Sequence, residues 1–401
     1  MACLGAPLSW FPVMKTIVHI SADFPDAMKA GKTAVVRRLV DGTTGYRHRV
    51  YSLNRIDGLG GLSHLPFGHD RIALAYGAPP KGILLETRLR AVARWIAADL
   101  ARESIRPDLF HAHKLTVEGI IVDELTATTP CPYLVTSQGD TDLRIIGVRR
   151  DLKPLFRRIV TGAAALLPLA PWTRAGLAQH LGLDAGSMTL LPCLLEDDRQ
   201  SPAAPVAAPV LATVFHLQSA RRKNLDSMAK AALTVTQTHV DFRLDVHGGG
   251  EPGDVMTARR MIAEAGAEHV VRLCGPTREP LPTLLQRYAG LVLPTRRESY
   301  GLVHVEALLA GLPILWSRDR GIDGLFAAVG VGYRCDPADL QDIALGMRYL
   351  VDHEAAGKRA VAEAQGRGAF ESMRRKTILD TYRAVLERAL AGNGPKPTQG
   401  R

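Results

Sequence analysis

The chain has 401 residues, 46% of them hydrophobic, with a net charge of +10 and five cysteines. That length supports two ordinary cores, and the charge suits an anionic partner. No apolar run reaches membrane-spanning length, and Cys3, Cys131, Cys193, Cys274 and Cys335 are scattered without a C-x-x-C, so a membrane-spanning chain and a disulfide framework are excluded. Five dispersed thiols fit buried side chains in a reducing compartment.

Residues 1–13 lack a basic stretch and are broken by Pro7 and Pro12, which makes a poor secretion signal; a disordered extension before a fold starting at Met14 is expected. Residues 16–20 read as the first strand, 21–32 as its loop and 33–40 as a helix. Gly31-Lys32-Thr33 imitates the end of a P-loop, but that motif needs glycine where Asp26 stands, so an ATPase is excluded. Residues 47–53 alternate as a second strand, 56–82 as loop with a short strand, and 84–105 as a long amphipathic helix.

Residues 107–113 end a strand. His111 and His113 share one face of it, a spacing that can bind metal, but no Cys, Asp or third His stands close by in the sequence, so no metal is expected. Residues 133–137 form the next strand. Asp140-Thr141-Asp142 imitates a metal-binding D-x-D, yet it follows a glycine and opens a helix, which predicts capping. Over 143–160, Arg144, Arg149, Arg150, Lys153, Arg157 and Arg158 alternate with apolar residues. This basic face fits anionic lipid headgroups or plain solvent. A strand (163–169), a helix (173–181) and a short strand (189–192) follow, and the Pro/Ala-rich segment 196–209 is the clearest linker.

A second series begins at Val210. Residues 211–217 are its first strand, and Arg221, Arg222 and Lys223 precede a helix over 225–236. Positive charge at a helix start is unfavourable unless an anion sits there. Strand 242–247 runs into Gly248, Gly249 and Gly250, which let backbone approach a ligand. Strand 270–273 ends in another turn. Then comes P-T-R-R-E-S-Y-G-L-V-H-V-E-A-L-L-A-G-L-P over 294–313: a strand end, a turn at 298–301, and a helix over 302–310 that Gly311 and Pro313 stop. Such a helix start exposes amides and partial positive charge, which suits phosphate. Glu298 stands at its mouth. Glu306, on an otherwise apolar helix, wants a polar partner such as sugar hydroxyls. A strand over 314–316, a loop (317–324), a strand (331–336) and helices over 340–353, 354–365 and 370–390 close the fold, and the Gly/Pro-rich tail 391–401 is expected to be disordered.

The spacing of Glu298 and Glu306, with Ser299-Tyr300-Gly301-Leu302 between and Ala307-Leu-Leu-Ala-Gly-Leu-Pro313 after, resembles the donor motif of family 4 retaining glycosyltransferases, group 1. The resemblance implies an α/β GT-B fold: two Rossmann-like doubly wound parallel-sheet domains facing an interdomain cleft. The acceptor side would span 14–197, the donor side 208–370, and a helix over 371–390 would cross back. It also implies a metal-independent retaining enzyme with no cofactor. The sugar would pass from a nucleotide-diphosphate sugar to a glycan or lipid-linked acceptor, in bacterial polysaccharide synthesis.

In that scheme Glu298 is the catalytic residue at the donor sugar. Ser299, Tyr300, Gly301 and Leu302, with Arg222 and Lys223, hold the diphosphate, and Glu306 holds the ribose. Residues 270–276 line the base pocket. Gly31, His113 and Gln138 face the acceptor side. The chain departs from the family in three places: Ala30 replaces a paired glycine, Gln138 replaces a His or Arg, and the usual Arg is missing near Leu217, so that either Arg221 or Arg222 takes its part or the donor site is altered. The expected location is cytoplasmic, at the inner face of the membrane. Two rivals are a non-catalytic scaffold of the same fold, suggested by Gln138 and the displaced Arg, and a nucleic-acid binder, which 5% aromatics without a basic–aromatic cluster disfavour.

Overall fold

A computed structural model describes residues 14–29, 31–79, 82–206, 208–326 and 330–392. The expected leading extension, Ala30 and residues 393–401 of the tail lie outside the described residues. The first half runs β1 (Thr16–Ser21), α1 (Val35–Gly42), β2 (Arg47–Ile56), β3 (Ser63–Pro66), β4 (Arg71–Gly77), α2 (Leu85–Arg102), β5 (Leu109–Ala112), α3 (Glu118–Thr128), β6 (Tyr133–Ser137), α4 (Asp140–Val148), α5 (Lys153–Gly162), β7 (Ala165–Pro168) and α6 (Pro171–Leu181). Its sheet has the order β3-β4-β2-β1-β5-β6-β7, parallel except for the antiparallel edge strand β3. The central strands are buried on both faces, which is why they read as apolar runs.

The second half runs β8 (Val210–Val214), α7 (Leu225–Thr236), β9 (Arg243–His247), α8 (Pro252–Glu264), β10 (Val271–Gly275), α9 (Leu281–Leu285), β11 (Gly290–Leu293), α10 (Leu302–Leu309), β12 (Ile314–Ser317), β13 (Gly332–Cys335), α11 (Leu340–Asp352), α12 (Glu354–Gly366) and α13 (Arg375–Leu390). Its sheet is wholly parallel, in the order β10-β9-β8-β11-β12-β13. This is the GT-B arrangement of two Rossmann-like sheets. In each sheet the strand order reverses once, between β1 and β5 and between β8 and β11, and ligands of open parallel sheets bind off the strand ends at such points.

Several expectations are corrected. Segment 56–82 holds two strands rather than one, because Asp70 adopts a left-handed φ of 56° that turns β3 back along β4. The basic face read over 143–160 is divided between two helices: the segment breaks at Arg149 into α4 and α5, with a 3-10 turn between. Residues 189–192 form no strand, although the Thr189 and Leu191 amides donate to Leu166 and Pro168 of β7. The terminal helix starts at Arg375, after a 3-10 turn over Glu371–Met373. Lys32 is spent internally, on Asp26 at 2.6 Å and Ser52 at 2.9 Å.

The linker is not loose. Asp198 takes the Arg375 amide at 2.7 Å, and Lys358 donates to the Ala204 carbonyl at 2.7 Å. Gly311, with φ of 84°, is needed where the chain passes it: a Cβ there would sit 2.4 Å from the Ala203 nitrogen. α13 returns to the first half. Its Ile378, Tyr382 and Leu386 pack with Ile17, Leu109, Leu134 and Leu167 beneath the first sheet, and the Tyr382 hydroxyl lies 2.8 Å from His111 Nδ1. Among the described residues no helix is long and apolar enough to cross a membrane.

Two stability predictions follow from this packing. Tyr382→Phe orphans a buried ring nitrogen and should lower stability in urea by about 1–3 kcal/mol, whereas Tyr382→Ala adds a cavity and should cost about 3–5 kcal/mol. The second concerns Glu118, fully buried at the start of α3. Its Oε1 accepts from the Ala22 amide at 2.7 Å and its Oε2 has no partner. Burial raises its pKa from 4.5 to about 8. The folded chain therefore holds a proton that the unfolded chain releases above about pH 4.5. This contribution is complete below about 4.5 and is lost as pH rises to about 8, with a slope approaching 1.4 kcal/mol per pH unit. Denaturation midpoints across that window should flatten in Glu118→Gln; an unchanged slope would show that Glu118 is not the titrating group.

Candidate active site

The loops that leave β8 and β11 meet at the switch point of the second sheet. After β11, residues 294–301 lead into α10 through Gly301, whose left-handed φ of 81° sets the helix entry. No side chain caps this helix, and the amides of Tyr300, Gly301 and Leu302 donate to no described residue. Glu298 is buried beside them. Its Oε1 takes the Ser299 amide at 3.2 Å, and its Oε2 takes Lys223 Nζ in a close ion pair.

Lys223 reaches it because its loop is pinned to the β11 exit. Asn224 adopts a left-handed φ of 69° and donates through Nδ2 to the carbonyls of Pro294 at 2.9 Å and Pro337 at 2.8 Å. The Arg296 amide donates to the Arg222 carbonyl at 3.1 Å. His304 lies in the first turn of α10, buried, with neither ring nitrogen partnered; burial lowers its pKa to about 4.

A cavity of about 450 Å³ opens between the halves here. Arg222, Glu298, Ser299, Tyr300, Gly301 and Leu302 form its second-half wall. Asp23, His113, Lys114 and Gln138 stand opposite. Most of the residues singled out in the sequence therefore converge on one space. Gly31 does not line it, although Thr33 two residues on does. Arg221 turns to a separate pocket with Asp226 and Lys230, so Arg222 is the cleft arginine. Tyr300 packs into the second-half core, 3% exposed, with its hydroxyl unpartnered. Glu306 lies off the cavity, and burial raises its pKa while Arg38 of α1 opposes the rise.

Other side chains at this site carry no sequence signal. Asp140 does not cap α4. It reaches across the cleft to Arg297, with Oδ2 3.0 Å from Nε and 2.5 Å from Nη2. Trp172 Nε1 also crosses, donating to the Gly321 carbonyl at 2.9 Å. Asp142, fully buried, accepts from the Thr116 amide (3.0 Å) and hydroxyl (2.7 Å), the Ser137 hydroxyl (3.0 Å) and the Gln138 amide (3.1 Å), which fixes the loops after β5 and β6.

The expectation that His111 and His113 lack a third ligand nearby is corrected: β1 brings His19 beside them, with ring nitrogens within 4.8 Å of one another. Both nitrogens of His111 and of His19 are already committed, as is Nε2 of His113. His111 is bonded to Tyr382 and Thr136, each at 2.8 Å, and His19 to His48 and His113. A second such group, Asp245, His247 and Cys274, is likewise engaged: Asp245 pairs with Arg243 and Arg272, and His247 lies 2.6 Å from the Tyr288 hydroxyl. Either group could take a metal only by surrendering these bonds.

Comparison with known proteins agrees with this geometry. The sequence model described as "Glycosyl transferases group 1" matches residues 196–367. The chain is 27% identical over 305 residues to the D-inositol 3-phosphate glycosyltransferase of Pseudarthrobacter chlorophenolicus, covering 71% of this chain and 72% of that one. Among solved structures, sucrose-phosphate synthase from Thermosynechococcus elongatus superposes with a TM-score of 0.74 at 18% identity, covering 94% of this chain and all (100%) of the other. Anabaena HepE in complex with UDP superposes with a TM-score of 0.69 at 14% identity, covering 93% and 100%. The matched second half, with its helix start and paired acid and lysine, is thus similar to the group 1 glycosyltransferases, and the two-sheet frame is shared with the solved structures.

Proposed function

We propose that the protein is a retaining transferase that moves a sugar from a nucleotide-diphosphate sugar to a hydroxyl held in the cleft. The observation that carries this reading is the Lys223–Glu298 pair set against the open amides of α10. The two charges neutralise each other in the empty protein. An arriving diphosphate competes for Lys223 and takes Arg222 and the amides of residues 300–302. Glu298, released, is then free to orient the sugar. The Glu306 carboxylate, largely buried and with Arg38 the charge that lowers its pKa, is assigned to the ribose.

The bond from the anomeric carbon to the diphosphate oxygen breaks as the acceptor oxygen bonds to that carbon on the same face. The acceptor's proton leaves on the departing diphosphate. Lys223, Arg222 and the helix start offset the charge that develops, which supplies the catalytic electrostatics without assigning a metal. Gln138 has no acid or base to offer, and this scheme asks none of it.

The acceptor expected from the sequence is a glycan or lipid-linked molecule, in bacterial polysaccharide synthesis. A surface patch supports membrane contact. Leu59, Ile83, Leu84 and Val148 are exposed large apolar residues. They gather because Arg149 donates to the Gly82 carbonyl and Arg88 to the Leu59 carbonyl. Arg149, Arg157 and Arg158 of the basic segment are bonded to Asp151, the Leu181 carbonyl and Asp123. Arg144, Arg150 and Lys153 of the same segment as Val148 are exposed. A second reading, a small phosphorylated polyol as acceptor, is favoured by the D-inositol 3-phosphate relatives.

Glu298→Ala should abolish transfer while leaving the thermal melt near that of the parent; retained transfer would falsify the assignment. Lys223→Ala should weaken donor binding roughly 10–100-fold, measured by thermal shift across a panel of nucleotide-sugars. Replacing Arg144, Arg150 and Lys153 by Glu should remove flotation with phosphatidylserine vesicles, at about 1 kcal/mol per charge lost. If the unaltered protein does not float, the soluble polyol becomes the acceptor to test first.

A further inference from the structure

Three imidazoles stand in file across neighbouring strands of the first sheet. His48 lies on β2, His19 on β1, and His113 just beyond β5. His48 Nε2 is 2.6 Å from the Thr43 carbonyl, His48 Nδ1 is 2.9 Å from His19 Nε2, and His19 Nδ1 is 3.1 Å from His113 Nε2. His19 and His113 are buried, His48 largely so. Burial holds all three pKa values below the ordinary imidazole value, so each ring is neutral and carries one proton.

The far end of the file decides the rest. A carbonyl can only accept, so His48 Nε2 carries the hydrogen and His48 Nδ1 is bare. His19 must then donate through Nε2, which leaves its Nδ1 bare. His113 must donate through Nε2 in turn, which leaves its own Nδ1 bare. That last nitrogen makes no hydrogen bond to a described residue, and its ring, only 2% exposed, lines the cleft cavity. His111 stacks beside it with ring centroids 3.9 Å apart, its own nitrogens spent on Tyr382 and Thr136, so it braces the ring without altering its protonation.

We propose that His48 and His19 are positioning residues, whose file from the Thr43 carbonyl locks His113 in the tautomer that presents a bare Nδ1 to accept a hydrogen bond from a hydroxyl of a sugar or polyol acceptor. The proposal rests on the reading of the cleft as a transfer site. It also gives β1 and β2 a part in acceptor binding, although neither side chain reaches the cavity.

The test has two arms on the full chain. The first is a two-bond proton–nitrogen correlation spectrum of the wild-type imidazoles. It should show His113 bare at Nδ1 and protonated at Nε2; the opposite tautomer overturns the proposal. The second is kinetic. His19→Phe fills the space but breaks the file, and should raise the acceptor KM roughly tenfold, the worth of one hydrogen bond, with the donor KM unmoved. His19→Gln, whose carbonyl can accept from His113 and whose amide can donate to His48, should restore most of the loss. Equal effects of Phe and Gln, or a loss confined to the donor KM, overturn the proposal. The spectrum needs no substrate, so it remains decisive if His19→Phe fails to fold. An inactive wild type with the expected tautomer would remove the transfer reading and leave the file standing.

Discussion

The ion pair between Lys223 and Glu298 is the constraint on which the second half's chemistry depends. Two charges this deeply buried are costly unless they meet, and they come from segments 75 residues apart. They meet because parallel strands β8 and β11 are neighbours and both deliver their following loops to the same edge. Asn224 then clamps one loop to the carbonyl that ends the other strand. The helix start of α10 and the acid at its mouth are local products of one stretch, but the lysine that completes them is a product of strand order.

The two halves meet through an apolar cluster that joins Leu169 and Cys193 to Tyr300 and Ile322, and through polar contacts across the cleft. Arg297–Asp140 is partly exposed, and Trp172 adds one hydrogen bond. Exposed pairs of this kind are each worth about 1 kcal/mol or less, so they set a register between the walls without welding them. The linker is held in place: Asp198, Ala204 and Gly311 bind it to the second half and to the start of α13.

Most of the fold was legible because parallel strands and crossover helices advertise themselves locally. Residues 133–137 and 225–236 read directly as a strand and a helix, bounded by turn residues and by a polar loop. β4 was hidden, since R-I-A-L-A-Y-G sits among glycines and prolines and its partner β3 is short. α3 and α8 were passed over. The first has little amphipathic contrast, being buried on much of its surface, and the second opens with Pro252 and Gly253, which read as turn. The motif loop was legible because its chemistry is contiguous. Asp140, Asp142, His19 and His48 were not, because a partner 157 residues away, or on the next strand, leaves no periodic trace in the chain. Asp140 looked like a cap for the good local reason that it opens a helix, and only tertiary placement gave it an arginine instead.

The return of α13 has a bearing on biosynthesis. Leu109, Leu134 and Leu167 belong to the half that leaves the ribosome first, yet the helix that covers them ends at Leu390. The early half thus cannot bury its underside while the later half is still being made. Completion of that face waits on the last helix to be synthesised, so the early half alone leaves apolar surface open of the kind that promotes misassembly.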